Sequence, residues 1–209
     1  MNYTDLKADI QDICENTFTD AQLALFTDQA EQKIYNSVQI PALRRNVTGS
    51  MTSGNRFLAV PSDFLYTYSL SVISSAGVHN FLLNKDVNFM REAFPNSATT
   101  GTPTHYAYFS DTSFLVGPTP SSALGTELHY GYYPESIVTA GTTWLGDEFD
   151  SALLNGALIE AIRFMKGEPE TISNYQGFYV HALGLLKNLG DGKLREDAYR
   201  SGQYRQAVG

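Results

Sequence analysis

The chain has 209 residues, 43% of them hydrophobic, enough to bury a real core and to exclude wholesale disorder. Its net charge of −8 argues against a broad grip on a phosphate backbone. Cys14 stands alone, which excludes an internal disulfide and a cysteine-rich zinc cluster. Charged residues make up only 17% of the chain while aromatics reach 12%, an unusually uncharged, Tyr-rich balance.

The first predicted helix runs from Thr4 to about Glu15, with Leu6, Ile10 and Ile13 on one face. The second starts at a capping box, Thr19 with Gln22, with Phe18 and Leu23 at staple positions. Its stripe is Leu23, Phe26, Ala30, Ile34 and Val38, and Pro41 closes it.

After Pro41 the period changes to that of strands. They are expected at Arg45–Met51, Arg56–Val60, Tyr66–Ile73, Val78–Leu83, His105–Phe109, Ser113–Val116 and Glu127–Tyr133. Turn signals such as Ser53-Gly54-Asn55 and Gly117-Pro118 separate them. A short helix over Asp86–Ala93 interrupts the series, and the Ser/Thr/Gly-rich stretch Asn96–Pro103 reads as a mobile loop.

Helix returns at Asp147 and reaches Lys166, apolar almost all round from Ala152 to Met165, which marks a central helix. Gly167 ends it and Pro169 opens the last helix, whose seam is Ile172, Tyr175, Tyr179, Ala182, Leu186 and Leu189. Gly177 and Gly184 lie on another face, where a neighbour's backbone is expected to approach, and Gly190 is read as the residue that ends the helix.

The pattern is α+β: a helical bundle built from both chain ends (1–40 and 147–190) with an inserted antiparallel β sandwich or barrel (41–146). An extended C-terminal tail, 191–209, interleaves Lys193, Arg195, Arg200 and Arg205 with Tyr199 and Tyr204 and has too few aliphatic residues for a core. Nothing in the sequence reads as a membrane span or a secretory signal.

Catalytic chemistry finds little support. Asp147, Glu148 and Asp150 fall where a helix's first turn favours acids, with no His or Cys at ligand spacing. His79, His105, His129 and His181 are scattered singly, and Cys14 reads as a small core residue. Gly190-Asp191-Gly192-Lys193 lacks the strand, the spaced glycines and the Ser/Thr of a phosphate loop, and reads as a helix cap and turn. No catalytic residue, metal site or cofactor is expected. The uncharged Tyr-rich strands suit either carbohydrate or peptide recognition, or a protein–protein surface. Pairing them with an Arg/Tyr tail favours assembly.

The order of motifs resembles the head-to-tail adaptor family of tailed bacteriophages, also called connectors or gatekeeper rings, of the podovirus tail-tube-adaptor type. The matching segments are the Tyr3-Thr4-Asp5-Leu6-Lys7 helix and Leu58-Ala59-Val60-Pro61-Ser62-Asp63-Phe64-Leu65. Gly101-Thr102-Pro103-Thr104-His105-Tyr106 and Phe114-Leu115-Val116-Gly117-Pro118-Thr119-Pro120 follow. Leu128-His129-Tyr130-Gly131-Tyr132-Tyr133-Pro134 and Asn155-Gly156-Ala157-Leu158-Ile159-Glu160-Ala161 complete the series.

The resemblance implies a non-enzymatic virion protein, made in the host cytoplasm, at the head–tail junction. It implies a homo-oligomeric ring of about twelve copies joining the portal protein to the tail nozzle or tail tube, with roles in tail assembly and genome ejection. Double-stranded DNA would pass through its lumen without sequence-specific binding, and no membrane is involved. Lys193, Arg195, Tyr199, Arg200, Tyr204 and Arg205 become candidate portal or neighbour contacts. Residues 1–40 hold 7 acids against 2 bases, and Asp9, Asp12 and Glu15 become candidate lumen-facing acids that repel DNA within a Debye length of about 10 Å. A virion-borne carbohydrate-binding or cell-wall hydrolase module is the alternative.

Overall fold

In the computed structural model the backbone is described over residues 1–201 and the side chains over residues 1–191. The chain divides into two units, Met1–Leu43 with Pro134–Gly209 and Arg44–Tyr133. The fold is α+β, and among the described residues the sheets are open, with no closed barrel.

The first unit is helical. α1 (Tyr3–Cys14) starts where the Asn2 side chain accepts from the Asp5 N–H. α2 (Asp20–Ser37) carries the capping box: Thr19 Oγ1 accepts from the Gln22 N–H while Gln22 Oε1 accepts from the Thr19 N–H. The whole stripe Leu23, Phe26, Ala30, Ile34 and Val38 is buried. On α1, Leu6 and Ile10 are buried but Ile13 is not, being 42% exposed. Cys14 takes the third place, because i+4 spacing keeps a residue over Ile10 where i+3 turns Ile13 away. Burial pushes the Cys14 thiol above its ordinary range, as suits a core residue.

A short 3-10 turn, Pro41–Leu43, leads out of this unit. The chain returns through α4 (Ile137–Ala140), α5 (Trp144–Glu148) and α6 (Asp150–Phe164), after α3 (Val87–Ala93) of the other unit. The single helix expected from Asp147 to Lys166 is thus two. Thr143 caps α5 through the Gly146 N–H, and Phe149, in a non-helical conformation, breaks it from α6. Asp147 and Asp150 each fall in a first turn. α6 is central: it packs on α1, α2, α5 and α7 (Pro169–Ser201).

Gly190 does not end the last helix, which runs on to Ser201. A Cβ on Gly190 would lie 2.7 Å from the Gln39 carbonyl oxygen. The glycine is there for close approach to the segment after α2, and a helix interior tolerates it at a cost of about 1 kcal/mol. Gly190-Asp191-Gly192-Lys193 is therefore helix and not a turn, and the tail expected to be extended from residue 191 is helical through 201. A Cβ on Gly177 or Gly184 would meet no atom within 4 Å among the described residues, so no described residue approaches them closely.

The second unit is mostly strand. One sheet has the order β1-β10-β3-β4: β1 (Arg44–Met51), β10 (Leu124–Tyr132), β3 (Phe64–Ile73) and β4 (His79–Phe81), all antiparallel. The other is β2-β8-β7-β5: β2 (Phe57–Ala59), β8 (Ser113–Gly117), β7 (His105–Ser110) and β5 (Leu83–Asn84), antiparallel but for β5 on β7. The strand expected over Val78–Leu83 is split between the two sheets at Leu82, which turns into the core. α3 (Val87–Ala93) is capped by the Asp86 carboxylate on the Phe89 N–H.

The stretch read as a mobile loop contains β6 (Thr100–Gly101), paired in parallel with β9 (Thr119–Pro120). Both strands are two residues long, too short to show a period. The core between the sheets is aromatic, with Phe114 edge-on to Phe64, Tyr106 and Tyr108.

Candidate assembly surfaces

On β1, β3 and β10 the sequence places cations beside tyrosines. The Arg44 guanidinium lies 4.4 Å from the Tyr68 ring centre, and the Arg45 guanidinium 5.4 Å from that of Tyr132. The Tyr66 and Tyr68 hydroxyls are 3.1 Å apart, and the Tyr68 ring lies 5.3 Å from that of His129. The Tyr68 hydrogen bond, with burial second, pushes the Tyr66 hydroxyl up to about 12. Tyr66 stands opposite Gly131 across the strand pair, and a Cβ on Gly131 would fall 2.5 Å from its ring. The glycine makes the seat for the tyrosine.

Asp63 ties three segments of the same unit together. Its carboxylate accepts from the Tyr130 hydroxyl at 2.9 Å and from Arg45 Nη1 at 2.7 Å. Burial alone would raise its pKa, but the bonds from Tyr130 and Arg45 outweigh that and lower it. The sequence reading missed Arg44 and Arg45, although residues 41–145 hold few charges and these two are the one adjacent pair of cations there. Their aromatic partners were not legible, since these come from strands distant in sequence.

Other exposed apolar side chains gather on this unit. Phe57 and Phe109 put their rings 5.0 Å apart, both outside the core, and Phe81 is 67% exposed. In the helical unit α7 leaves Phe178, Val180 and Leu185 more than half exposed. Its seam residues Ala182 and Leu186 are buried, while Leu189 is not. Exposed aromatics with Arg anchors are the composition of protein contact surfaces.

The helical unit also buries charge. Glu160 of α6 is paired with Lys33 of α2 and lies 3.4 Å from Arg163. Glu31 of α2 accepts from the Ile137 N–H at 3.0 Å, at the start of α4. One turn away, Asp28 accepts from the Ser136 hydroxyl at 2.7 Å. Burial raises the Glu31 pKa, against hydrogen bonds from Ser136 and Ile137 that lower it. Neither acid stood out in the sequence, because a lone Glu on a helix carries no signal of burial.

Of the candidate lumen-facing acids, Asp9 is half-buried on α1 and Asp12 and Glu15 are exposed. Lys193, Arg195, Tyr199 and Arg200 belong to the α7 backbone with side chains outside the described residues. Tyr204 and Arg205 lie outside the described residues altogether. His79 bonds Ser71 at 3.1 Å and lies 3.4 Å from Glu127, His105 on β7 lies 2.8 Å from the Thr104 hydroxyl, His129 on β10 lies against Tyr68, and His181 is on α7.

A family model described as SU10 adaptor protein matches residues 1–206. The chain belongs to the SU10 adaptor family. It is a structural phage adaptor, and the match takes in both the helical and the β unit. Family membership implies a virion component that contacts other head or tail proteins. Among curated proteins no sequence matches the chain. Among the described residues no helix is long and apolar enough to cross a membrane.

Proposed function

We propose that the protein is a non-enzymatic ring adaptor of the podovirus tail-tube type. About twelve copies join the portal to the tail nozzle and line the channel through which DNA leaves. The observation that carries this reading is the adaptor-family match along residues 1–206. The chain divides by role: 1–40 and 147–190 form the wall between subunits, 41–146 reaches toward tail components, and 191–209 reaches the portal and neighbouring subunits. Lys193, Arg195, Tyr199, Arg200, Tyr204 and Arg205 supply cation and ring contacts of the kind that anchor interfaces.

The mass of the purified protein, alone and mixed with its cognate portal, tests the reading. A ring is expected with the portal, and truncation after residue 190 is expected to prevent it. A full-length chain that stays monomeric beside the portal overturns the adaptor role, and a truncated chain that still forms the ring removes residues 191–209 from the portal contact. The acids of α1 allow a second test. Replacing Asp9, Asp12 and Glu15 together by lysine should slow genome ejection, and an unchanged ejection rate removes them from the channel wall.

A further inference from the structure

The β unit is open along one side, between the edges of its two sheets. Among the described residues β1 pairs only with β10 and β2 only with β8. A groove of about 300 Å³ lies where these edges face each other, lined by the consecutive runs Val47–Ser50 and Leu58–Pro61, with Thr126 and Leu128 as its floor. No lining residue is charged. On β2 the bonds from the Val60 N–H to Thr112 and from the Val116 N–H to Arg56 turn alternate residues toward β8. The N–H and C=O of Ala59 therefore point the other way, toward the groove. An edge strand with unpaired backbone groups is a template for another strand.

We propose that this groove accepts an extended, charge-free segment of a partner polypeptide, laid between β1 and β2 as an added strand. The two backbone edges supply hydrogen bonds to any extended chain, and the neutral lining sets the composition, since a charge placed there would lose its water unpaired. A strand of a second copy fits poorly. The occupant needs both of its edges free, and each described strand of this chain already has a neighbour on at least one side. The proposal stands apart from the adaptor reading, because it concerns one unit and its backbone.

The test uses the full chain, isotope-labelled, with a capped peptide as long as β1 that alternates threonine and valine. A second peptide replaces each threonine by glutamate. The neutral peptide is expected to shift the amide resonances of Val47–Ser50 and Ala59 and to slow exchange at Ala59 by about tenfold, the charged one to do neither. Ala59→Pro removes the groove-facing N–H without touching the ladder to β8 and should weaken neutral-peptide binding roughly tenfold, while Ala59→Val keeps it. Should Ala59→Pro not fold, Val47→Asp places a carboxylate in the lining and should weaken binding by a similar factor. Unmoved amides, or equal binding of both peptides, overturn the proposal. Protection of these amides that rises with protein concentration alone also overturns it, in favour of a second copy.

Discussion

The two units reach stability by different routes. The helical unit buries many small and medium side chains, with Ala30, Ala152, Ala157 and Ala161 letting α2 and α6 run close, and α1, α2, α4 and α5 each start at a side-chain cap while α6 has none. The β unit has fewer buried side chains, and its largest are rings: Phe64 lies against Phe114 and Tyr130, and Tyr106 against Phe114. Its tyrosine hydroxyls are bonded as well: Tyr130 donates to Asp63, and Tyr108 accepts from the Thr67 N–H. A core of many small contacts spreads the loss of any one of them. A core of a few rings concentrates it.

Phe114→Ala is therefore the largest expected effect, a loss of about 3–5 kcal/mol. Denaturant midpoints check it, with hydrogen exchange showing the loss in the amides of β3, β8 and β10. Within the helical unit Leu153→Ala, also fully buried, should cost less because Ala-rich helices can close partly on the space. If Leu153→Ala costs more than Phe114→Ala, the contrast between the cores fails.

Glu31 sharpens the contrast from the other side, since the helical unit also depends on a buried polar tie. Glu31→Ala leaves the Ile137 N–H at the start of α4 without its acceptor and should cost about 1–3 kcal/mol. Glu31→Gln keeps an acceptor oxygen and removes the buried charge, so it should be close to neutral at pH 7. The pKa of Glu31 is raised in the folded state, so the native chain holds this proton at a pH where the unfolded chain has lost it. Its contribution is present below the unfolded pKa and lost as pH rises through the folded one. Stability of the parent should fall over that window, and Glu31→Gln should flatten the slope. Equal slopes in the two proteins would mean that other groups set the pH dependence.

The helical unit was also the more legible in sequence. The Thr19–Gln22 box and the α2 stripe follow from local spacing, and so does the central place of α6, which is apolar all round. Local rules failed where a distant group decides the outcome. Gly190 looks like a helix end until Gln39 is seen beside it, and Phe149 splits a run whose acids suggest one start. In the β unit most strands could be read, but Leu82 divides one of them by turning inward between two sheets. The surfaces were less legible still. Composition showed that tyrosine was abundant and charge scarce, yet the stacking of Arg44 on Tyr68 depends on the register of β1 with β10 and of β10 with β3.

The smallest expected effect concerns the end of α6, where local chemistry is not optimal. Lys166 sits at φ 58°, in the left-handed region, and its N–H bonds the Arg163 carbonyl while the Gly167 N–H bonds that of Ile162. This is the Schellman pattern with glycine one place later than usual. Gly167 is held in its own place, since a Cβ there would fall 2.5 Å from the Ile162 side chain, so the left-handed position is left to a lysine. A residue with a Cβ pays about 1–2 kcal/mol in that conformation, and glycine gives back part of it through its looser unfolded chain. Lys166→Gly should therefore stabilise the helical unit by somewhat under about 1 kcal/mol, seen as a raised denaturant midpoint with unchanged slope. The β unit, whose positive-φ residues Gly54 and Gly77 are already glycines, offers no matching gain. A destabilised Lys166→Gly would show instead that the lysine side chain contributes more than its backbone strain costs.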